Sequence, residues 1–372
     1  MKYISIILSG ISDRTYKELD GKTPFSKADT PNFDKLAESS VTGLIQTVPT
    51  SFTPVGDAGA LTAAGYPPQE YYTGRAGFEL LGNGFSMKKD DVVFFCSLVC
   101  LSENDVYEES TILEADPQNI SSEEKAALIE AVKSENKNRC FEFLTAKNGC
   151  SFLVWHKGEP APGKLLSPGR IIGKTAGSCL PKGDFTPVLV NIMKRSREIL
   201  ETHPINQKRR ALGLKALNSI WLWCVSSKPE LEKFRKRFGL KACAVSTSSY
   251  FSGIAVSAGI SVTRTQSTLS PIKLKRTAVN AINKLLRSND LVFVYLDILT
   301  KCRSAKEKAY AIELIDKFFI FELMERTSLI NESFKLTISS DHAFPVCSGK
   351  PSPEAVPILY YLNEKAPENQ NR

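Results

Sequence analysis

Asp341 and His342 stand side by side just after an apolar run, Phe334-Lys335-Leu336-Thr337-Ile338, with Ser340 leading into them. A run of that length and texture predicts a buried strand. A carboxylate and an imidazole at a strand's C-terminal tip sit where open α/β sheets place their chemistry, and together they suit a divalent metal. The plainer alternative has Asp341 bonded to backbone amides and His342 capping a helix. Histidine is scarce, since the chain holds three and His156 and His203 fall in unrelated stretches. Arginine supplies the other recognisable chemistry. Arg75 follows Gly74 in a predicted tight loop, and its planar fork matches a carboxylate or phosphate. Arg209 and Arg210 are further candidates for the same task, and the competing role for all three is pairing with local carboxylates such as Glu79.

These side chains need a scaffold, and the chain is long enough to build one. Its 372 residues, 42% hydrophobic and 24% charged, are ordinary for a globular protein with one large or two moderate cores. Strand-like runs at Tyr3 to Leu8, Ile220 to Val225, Ala242 to Val245, Leu291 to Leu296, Phe334 to Ser339 and Pro357 to Leu362 are mostly apolar throughout. Such runs predict strands covered on both faces by helices, hence a largely parallel sheet in an α/β fold. The first run is read as the central strand and not as a signal peptide, because it stops at Ser9-Gly10 with no cleavage pattern behind it. Asp29-Thr30-Pro31 opens a helix to about Ala37. Between Phe85 and Lys182 the texture changes to an α+β insertion, with strands at Val92 to Leu101 and Cys150 to Trp155 around a helix opened by the capping-box spacing Ser121-Ser122-Glu123-Glu124. Pro160-Ala161-Pro162-Gly163 reads as loop, and the tail Asn363 to Arg372 as disordered.

Lys and Arg outnumber Asp and Glu by 48 to 40, a net charge of +8 that favours anionic partners. The basic residues are spread along the chain, and Lys273, Lys275 and Arg276 open a helix with Ala278, Ile282 and Leu285 on one inner face, so no nucleic-acid partner is expected. No run is long enough to cross a bilayer. Nine scattered cysteines without a CxxC pair read as reduced thiols of a cytoplasmic protein. Trp221 and Trp223 share a strand face and read as core packing.

Several strings taken in order resemble the archaeal-type, 2,3-bisphosphoglycerate-independent phosphoglycerate mutases of the alkaline phosphatase superfamily. They are Gly21-Lys22-Thr23-Pro24-Phe25, Thr30-Pro31-Asn32-Phe33-Asp34-Lys35-Leu36-Ala37, Gly65-Tyr66-Pro67-Pro68 and Tyr71-Tyr72-Thr73-Gly74-Arg75-Ala76. The order continues through Ile171-Ile172-Gly173-Lys174, His203-Pro204-Ile205-Asn206 with Arg209-Arg210, and Asn218-Ser219-Ile220-Trp221-Leu222-Trp223, and ends with Asp341-His342 and Val356-Pro357-Ile358. The resemblance implies an alkaline-phosphatase-like α/β core, residues 1–84 and 183–372, interrupted by a smaller inserted α+β domain at 85–182. It also implies two divalent metals, Mn2+ or Mg2+, a phosphorylated small-molecule partner, and interconversion of 3- and 2-phosphoglycerate through a phosphorylated serine or threonine.

Residue by residue, the implied site is altered. Where such relatives end the first strand in Asp-Gly, this chain has Ser9-Gly10. Gly56 falls on the nucleophile position and offers no hydroxyl, with Asp57 beside it as a candidate metal ligand. The acidic loop that carries an Asp and a His in relatives reads Asp297-Ile298-Leu299-Thr300-Lys301-Cys302-Arg303-Ser304, and no histidine follows in Pro345-Val346-Cys347-Ser348-Gly349-Lys350-Pro351. Asp341, His342 and Asp57 remain as metal candidates and Arg75, Arg209 and Arg210 as substrate candidates, with Lys301, Arg303 and Lys350 placed to fill vacated space with fixed charge. Three functions are open: a family member without phosphoryl-transfer chemistry, an active mutase with ligands relocated to residues such as Asp57, Asp13 or Asp297, and a single-metal phosphohydrolase built on Asp341 and His342.

Overall fold

A computed structural model describes residues 1–117, 119–159, 165–183 and 186–364. The expected loop at Pro160 to Gly163 and the tail from residue 365 onward lie outside the described residues. Among the described residues the strands are β1 (Lys2–Leu8), β2 (Val41–Ile45), β3 (Val92–Leu101), β4 (Ile112–Ala115), β5 (Phe141–Thr145), β6 (Ser151–Trp155), β7 (Ser219–Ser227), β8 (Ala242–Ser246), β9 (Ser261–Arg264), β10 (Leu291–Leu296), β11 (Phe334–Ser339) and β12 (Val356–Asn363). The chain forms two compact units, one from Met1–Tyr72 with Glu230–Arg372, the other from Thr73–Pro229.

In the first unit the sheet runs β2-β12-β11-β1-β10-β8-β9. The five strands from β11 to β9 are parallel, and β12 and β2 extend the sheet antiparallel. β1 is central, as its sequence predicts. Its Ile4, Ile6 and Leu8, with Val292, Val294 and Leu296 of β10, pack on Leu274, Ala278, Ala281, Ile282 and Leu285 of the helix Pro271–Leu286. That helix repeats its apolar positions every three or four residues, which is the stripe expected there. The helix Pro31–Glu38 starts where its proline predicts, but Thr30 makes no side-chain cap. Asp316 caps it instead, accepting from the Asn32 amide at 3.2 Å and the Phe33 amide at 2.8 Å. β12 includes Asn363, the first residue of the expected tail.

The second unit is α+β, and it is larger than the 85–182 read from composition. Its strands β4-β3-β6-β5 form an antiparallel sheet in which β7 also pairs with β3, Trp221 opposite Ser97 and Ile220 opposite Leu98. The run Ile220 to Val225 is therefore not a strand of the parallel sheet. It is apolar throughout for a different reason: β7 packs under the helix Thr186–Glu201 and against the helix Arg75–Gly82. Burial on two faces erases alternation whichever sheet a strand joins. Trp221 is buried with Met193 and Leu189, and Trp223 stacks on Phe95 at 4.8 Å, both as packing residues. The helix Ser122–Glu135 carries the expected capping box, with the Glu124 amide donating to Ser121 Oγ at 3.1 Å and the Ser121 amide to Glu124 Oε2 at 3.2 Å.

One close approach fixes the geometry at the tip of β11. The helix Val55–Ala63 lies against that tip, so that a Cβ on Gly59 would fall 2.0 Å from the Asp341 carbonyl oxygen. Thr47 Oγ1 donates to that same oxygen at 2.7 Å. Gly59→Ala is expected to cost more than about 3 kcal/mol, because backbone cannot yield as a side chain does. Gly56→Ala, whose Cβ would meet Pro351 Cγ at 3.3 Å and His342 Cε1 at 3.4 Å, is expected to cost far less. Urea denaturation of the two variants checks the contrast, and equal stability would contradict it.

Candidate functional site

Parallel strands deliver their C-terminal ends to one edge, and the register here sets Ile7 beside Ser339 and Leu8 beside Leu296. Ser9, the Tyr295 to Asp297 segment and Ser340-Asp341-His342 therefore emerge together. Gly10 turns the chain away with φ +74°, and a Cβ there would lie 2.9 Å from both Phe344 Cβ and Thr300 Cγ2. The Gly10 amide donates to Ser340 Oγ at 3.1 Å, and Ser340 Oγ donates to the His342 carbonyl at 2.8 Å.

At the centre is the fully buried carboxylate of Asp341. Its Oδ2 accepts from Ser9 Oγ at 3.2 Å and from the Tyr295 hydroxyl, which also reaches Ser9 Oγ at 3.3 Å. His342 Nδ1 lies 3.0 Å from the same Oδ2, at ion-pair distance but without hydrogen-bond alignment. Burial would raise the Asp341 pKa, but the neighbouring His342 and the Tyr295 and Ser9 hydroxyls outweigh it and hold the carboxyl below its usual range. Burial likewise opposes the His342 cation, and the Asp341 charge, aided by Asp297 and Asp57, pushes its pKa above the ordinary imidazole value. Tyr295 is driven well above the usual phenol range by burial and by the Asp341 and Asp297 charges. Both shifts run in the direction that favours the charged pair, and the Tyr295 hydroxyl is the donor beside it. Asp341 is held by hydroxyls, and not by the backbone amides of the plainer reading.

Asp57 is buried at the start of the helix Val55–Ala63 and accepts from the Tyr72 hydroxyl at 3.0 Å. Gly56 faces the His342 ring. Of the positions proposed for relocated ligands, Asp297 accepts from Thr300 Oγ1, and Asp13 is engaged elsewhere. Lys308 Nζ donates to Asp13 Oδ2 at 2.7 Å and to the Phe344 carbonyl at 2.8 Å, with both charged side chains fully buried. The second oxygen of Asp13 accepts from the Arg14 amide at 2.7 Å and the Tyr16 hydroxyl at 2.6 Å, and the Val346 amide donates to Oδ2 at 3.2 Å. This network ties the loop after β1 to the loop after His342. Lys301, Arg303 and Lys350, expected to fill vacated space, are exposed. The buried cation is Lys308, which sequence reasoning missed because it looks like one more lysine on an amphipathic helix, Ala305–Ile315. Tyr295 was missed because it reads as one more apolar strand residue.

A divalent metal needs a donor set, and the one present falls short. Among the described residues no three His, Cys, Asp or Glu side chains converge to hold an ion. Asp341 Oδ1 and His342 Nε2 are buried without hydrogen-bond partners, but two donors do not complete the four to six ligands that zinc, magnesium or manganese take. The residues present do not fit a two-metal centre.

The arginine candidates belong to the second unit. Arg75 pairs with Glu79 Oε1 at 2.8 Å. Arg209 is buried and donates to the Lys215 carbonyl at 2.8 Å and to the Asn119 carbonyl and Oδ1 at 3.1 Å each. Arg210 engages the carbonyl and carboxylate of Glu201. His203 Nδ1 accepts from the Ile205 amide and caps the helix Pro204–Ala211, and His156 bridges Asp91 at 2.9 Å and Glu142 at 3.3 Å.

A sequence profile described as 2,3-bisphosphoglycerate-independent phosphoglycerate mutase matches residues 37–206. A protein of that name from Methanothrix thermoacetophila is 30% identical over 363 residues, covering 96% of this chain and 90% of its own. One from Methanosarcina mazei is 28% identical over 375 residues, covering 100% and 93%. Among solved structures, a protein from Pyrococcus horikoshii superposes with a TM-score of 0.77 at 25% identity over 97% of this chain and 87% of that one. The cofactor-independent phosphoglycerate mutase of Thermoplasma acidophilum does so with a TM-score of 0.63 at 20% identity, covering 99% and 92%, which speaks for the fold.

Removing one partner of a fully buried ion pair strands the other charge. Lys308→Met is therefore expected to destabilise the protein by about 3–5 kcal/mol. Lys308→Met with Asp13→Asn should recover a substantial part of that loss, measured by chemical denaturation. Additive losses in the double variant would show that the two side chains act separately.

Proposed function

Because the chain belongs to the 2,3-bisphosphoglycerate-independent phosphoglycerate mutase family, we propose that it keeps that family's frame for a phosphorylated small molecule while having lost the phosphoryl-transfer chemistry. The observation that carries this reading is the state of Asp341. Two-metal phosphoryl transfer needs carboxylates and imidazoles shared between ions, and an activated oxygen nucleophile. Here one oxygen of the surviving carboxylate, Oδ2, takes the Ser9 and Tyr295 hydroxyls and lies at ion-pair distance from His342, and Gly56 supplies no nucleophile. A hydroxyl in place of a carboxylate at residue 9 removes negative charge from a site that would hold two dications. Relocation of ligands to Asp13 is disfavoured by its commitment to Lys308. The same reading takes the protein as cytoplasmic, and its free cysteines support that.

A second reading is favoured by the unpartnered Asp341 Oδ1 and His342 Nε2: a single-ion phosphohydrolase. Purified protein supplied with manganese or magnesium separates the readings. The expected result is no conversion of 3-phosphoglycerate to 2-phosphoglycerate, no hydrolysis of p-nitrophenyl phosphate, and less than one bound ion per chain by elemental analysis. Turnover at the level of ordinary mutases would overturn the proposal, and one bound ion with hydrolysis alone would establish the second reading.

A further inference from the structure

β2 closes the first sheet, and among the described residues no strand pairs with its outer edge. Edge strands of monomeric proteins are blunted by lysines, prolines, bulges or covering elements. This one is not: from Ser39 to Gly56 the chain carries no charged side chain. Val41 and Leu44 are 72% and 75% exposed, with Ile45 partly so.

The register shows which backbone groups face outward. β2 pairs antiparallel with β12, placing Leu44 opposite Pro357, Gly43 opposite Ile358 and Thr42 opposite Leu359. Pro357 has no N–H, so its pair with Leu44 is a non-hydrogen-bonded one, and bonding alternates along an antiparallel ladder. Val41, Gly43 and Ile45 therefore bond to β12, while Thr42 and Leu44 direct their N–H and C=O groups outward.

We infer that β2 pairs with β2 of a second copy of this chain, antiparallel about a twofold axis through Gly43. That register sets Thr42 opposite Leu44 of the other copy on both sides of the axis, so all four outward N–H groups and carbonyls are used. The two Gly43 residues face each other as a non-hydrogen-bonded pair, where Cα atoms approach to about 4.5 Å.

The side chains fit the same register. Residues opposite one another in antiparallel strands share a face. Leu44 of the second copy thus falls beside Thr42, on the face of Leu359 and Pro357. These three, with Phe25, Phe33 and Ala37, line an apolar cleft of about 220 Å³. For comparison, an apolar cavity of about 150 Å³ accommodates benzene. Twofold symmetry places one leucine over each of two such clefts. A charged strand would set like charges against each other across the axis, and in a chain of net charge +8 the uncharged strand is the self-complementary one.

Pairing of two five-residue strands buries less than the roughly 1,200 Å² of a standard interface, so the dimer is concentration-dependent. Sedimentation of the full chain, up to on the order of 100 µM, is expected to show a monomer–dimer equilibrium. Leu44→Lys should weaken it at least about tenfold, the equivalent of 1.4 kcal/mol, while leaving the thermal melt unchanged because the side chain is exposed. Gly43 has open space where a Cβ would go, so Gly43→Cys folds without crowding. With the exposed Cys140 and Cys347 replaced by serine, it should yield a disulfide-linked dimer on mild oxidation. A protein that stays monomeric throughout, a dimer indifferent to Leu44→Lys, or a dimer that Gly43→Cys does not cross-link would each overturn the inference.

Discussion

The carboxylate of Asp341 is buried where three parallel strands end, and the contacts of its Oδ2 hold the strand tips around it. An isolated carboxylate at that depth would be protonated or would unfold its surroundings. Ser9 from the end of β1, Tyr295 from β10 and His342 from the turn after β11 each supply part of what it needs. Those contributions lock the strand tips together. The helix Val55–Ala63 then seats on the backbone of the same residue, with Gly59 against its carbonyl and Thr47 donating to that oxygen. A position that resembles a metal ligand in sequence acts here as a hub of hydrogen bonds and one ion pair.

Charge balance in the neighbouring layer follows the same logic with fixed groups. Asp13 and Lys308 neutralise one another out of contact with solvent, and their remaining hydrogen bonds go to the loops after β1 and after His342. Burial lowers the Lys308 pKa, and Asp13 pulls it back toward its ordinary value, so the lysine keeps its role as donor to the Phe344 carbonyl. Two acids near the strand tips are thus each paired with a basic side chain, His342 and Lys308. Divalent ions would compete with both for the same carboxylates.

Much of the fold was legible in the chain. β10 is buried at every position and β1 and β8 at most of theirs, and their places follow from that texture, while β11 alternates buried Phe334, Leu336 and Ile338 with half-buried Lys335, Thr337 and Ser339. The helices at Pro31 and Ser122 announce themselves by proline and by a capping box, although the first is capped by Asp316 from far along the sequence. β7 was misassigned because two-sided burial looks alike in either sheet, and β2 left no signal because its residues are exposed. The proposed loss of chemistry rests on residue types alone: Ser9 carries no carboxylate, Gly56 no hydroxyl, and the chain holds three histidines.

Residue types alone determined which atoms are available for chemistry, since no arrangement of this chain makes Gly56 a nucleophile or gives residue 9 a carboxylate. Tertiary structure decided how the remaining groups are spent. Tyr295 and Lys308 are separated from Asp341 and Asp13 by tens to hundreds of positions, and nothing local distinguishes them from an ordinary strand tyrosine and an ordinary helix lysine. Burial of a charge is a property of the assembled layers, and the partner that offsets it is whichever group the strand register and helix packing bring within reach.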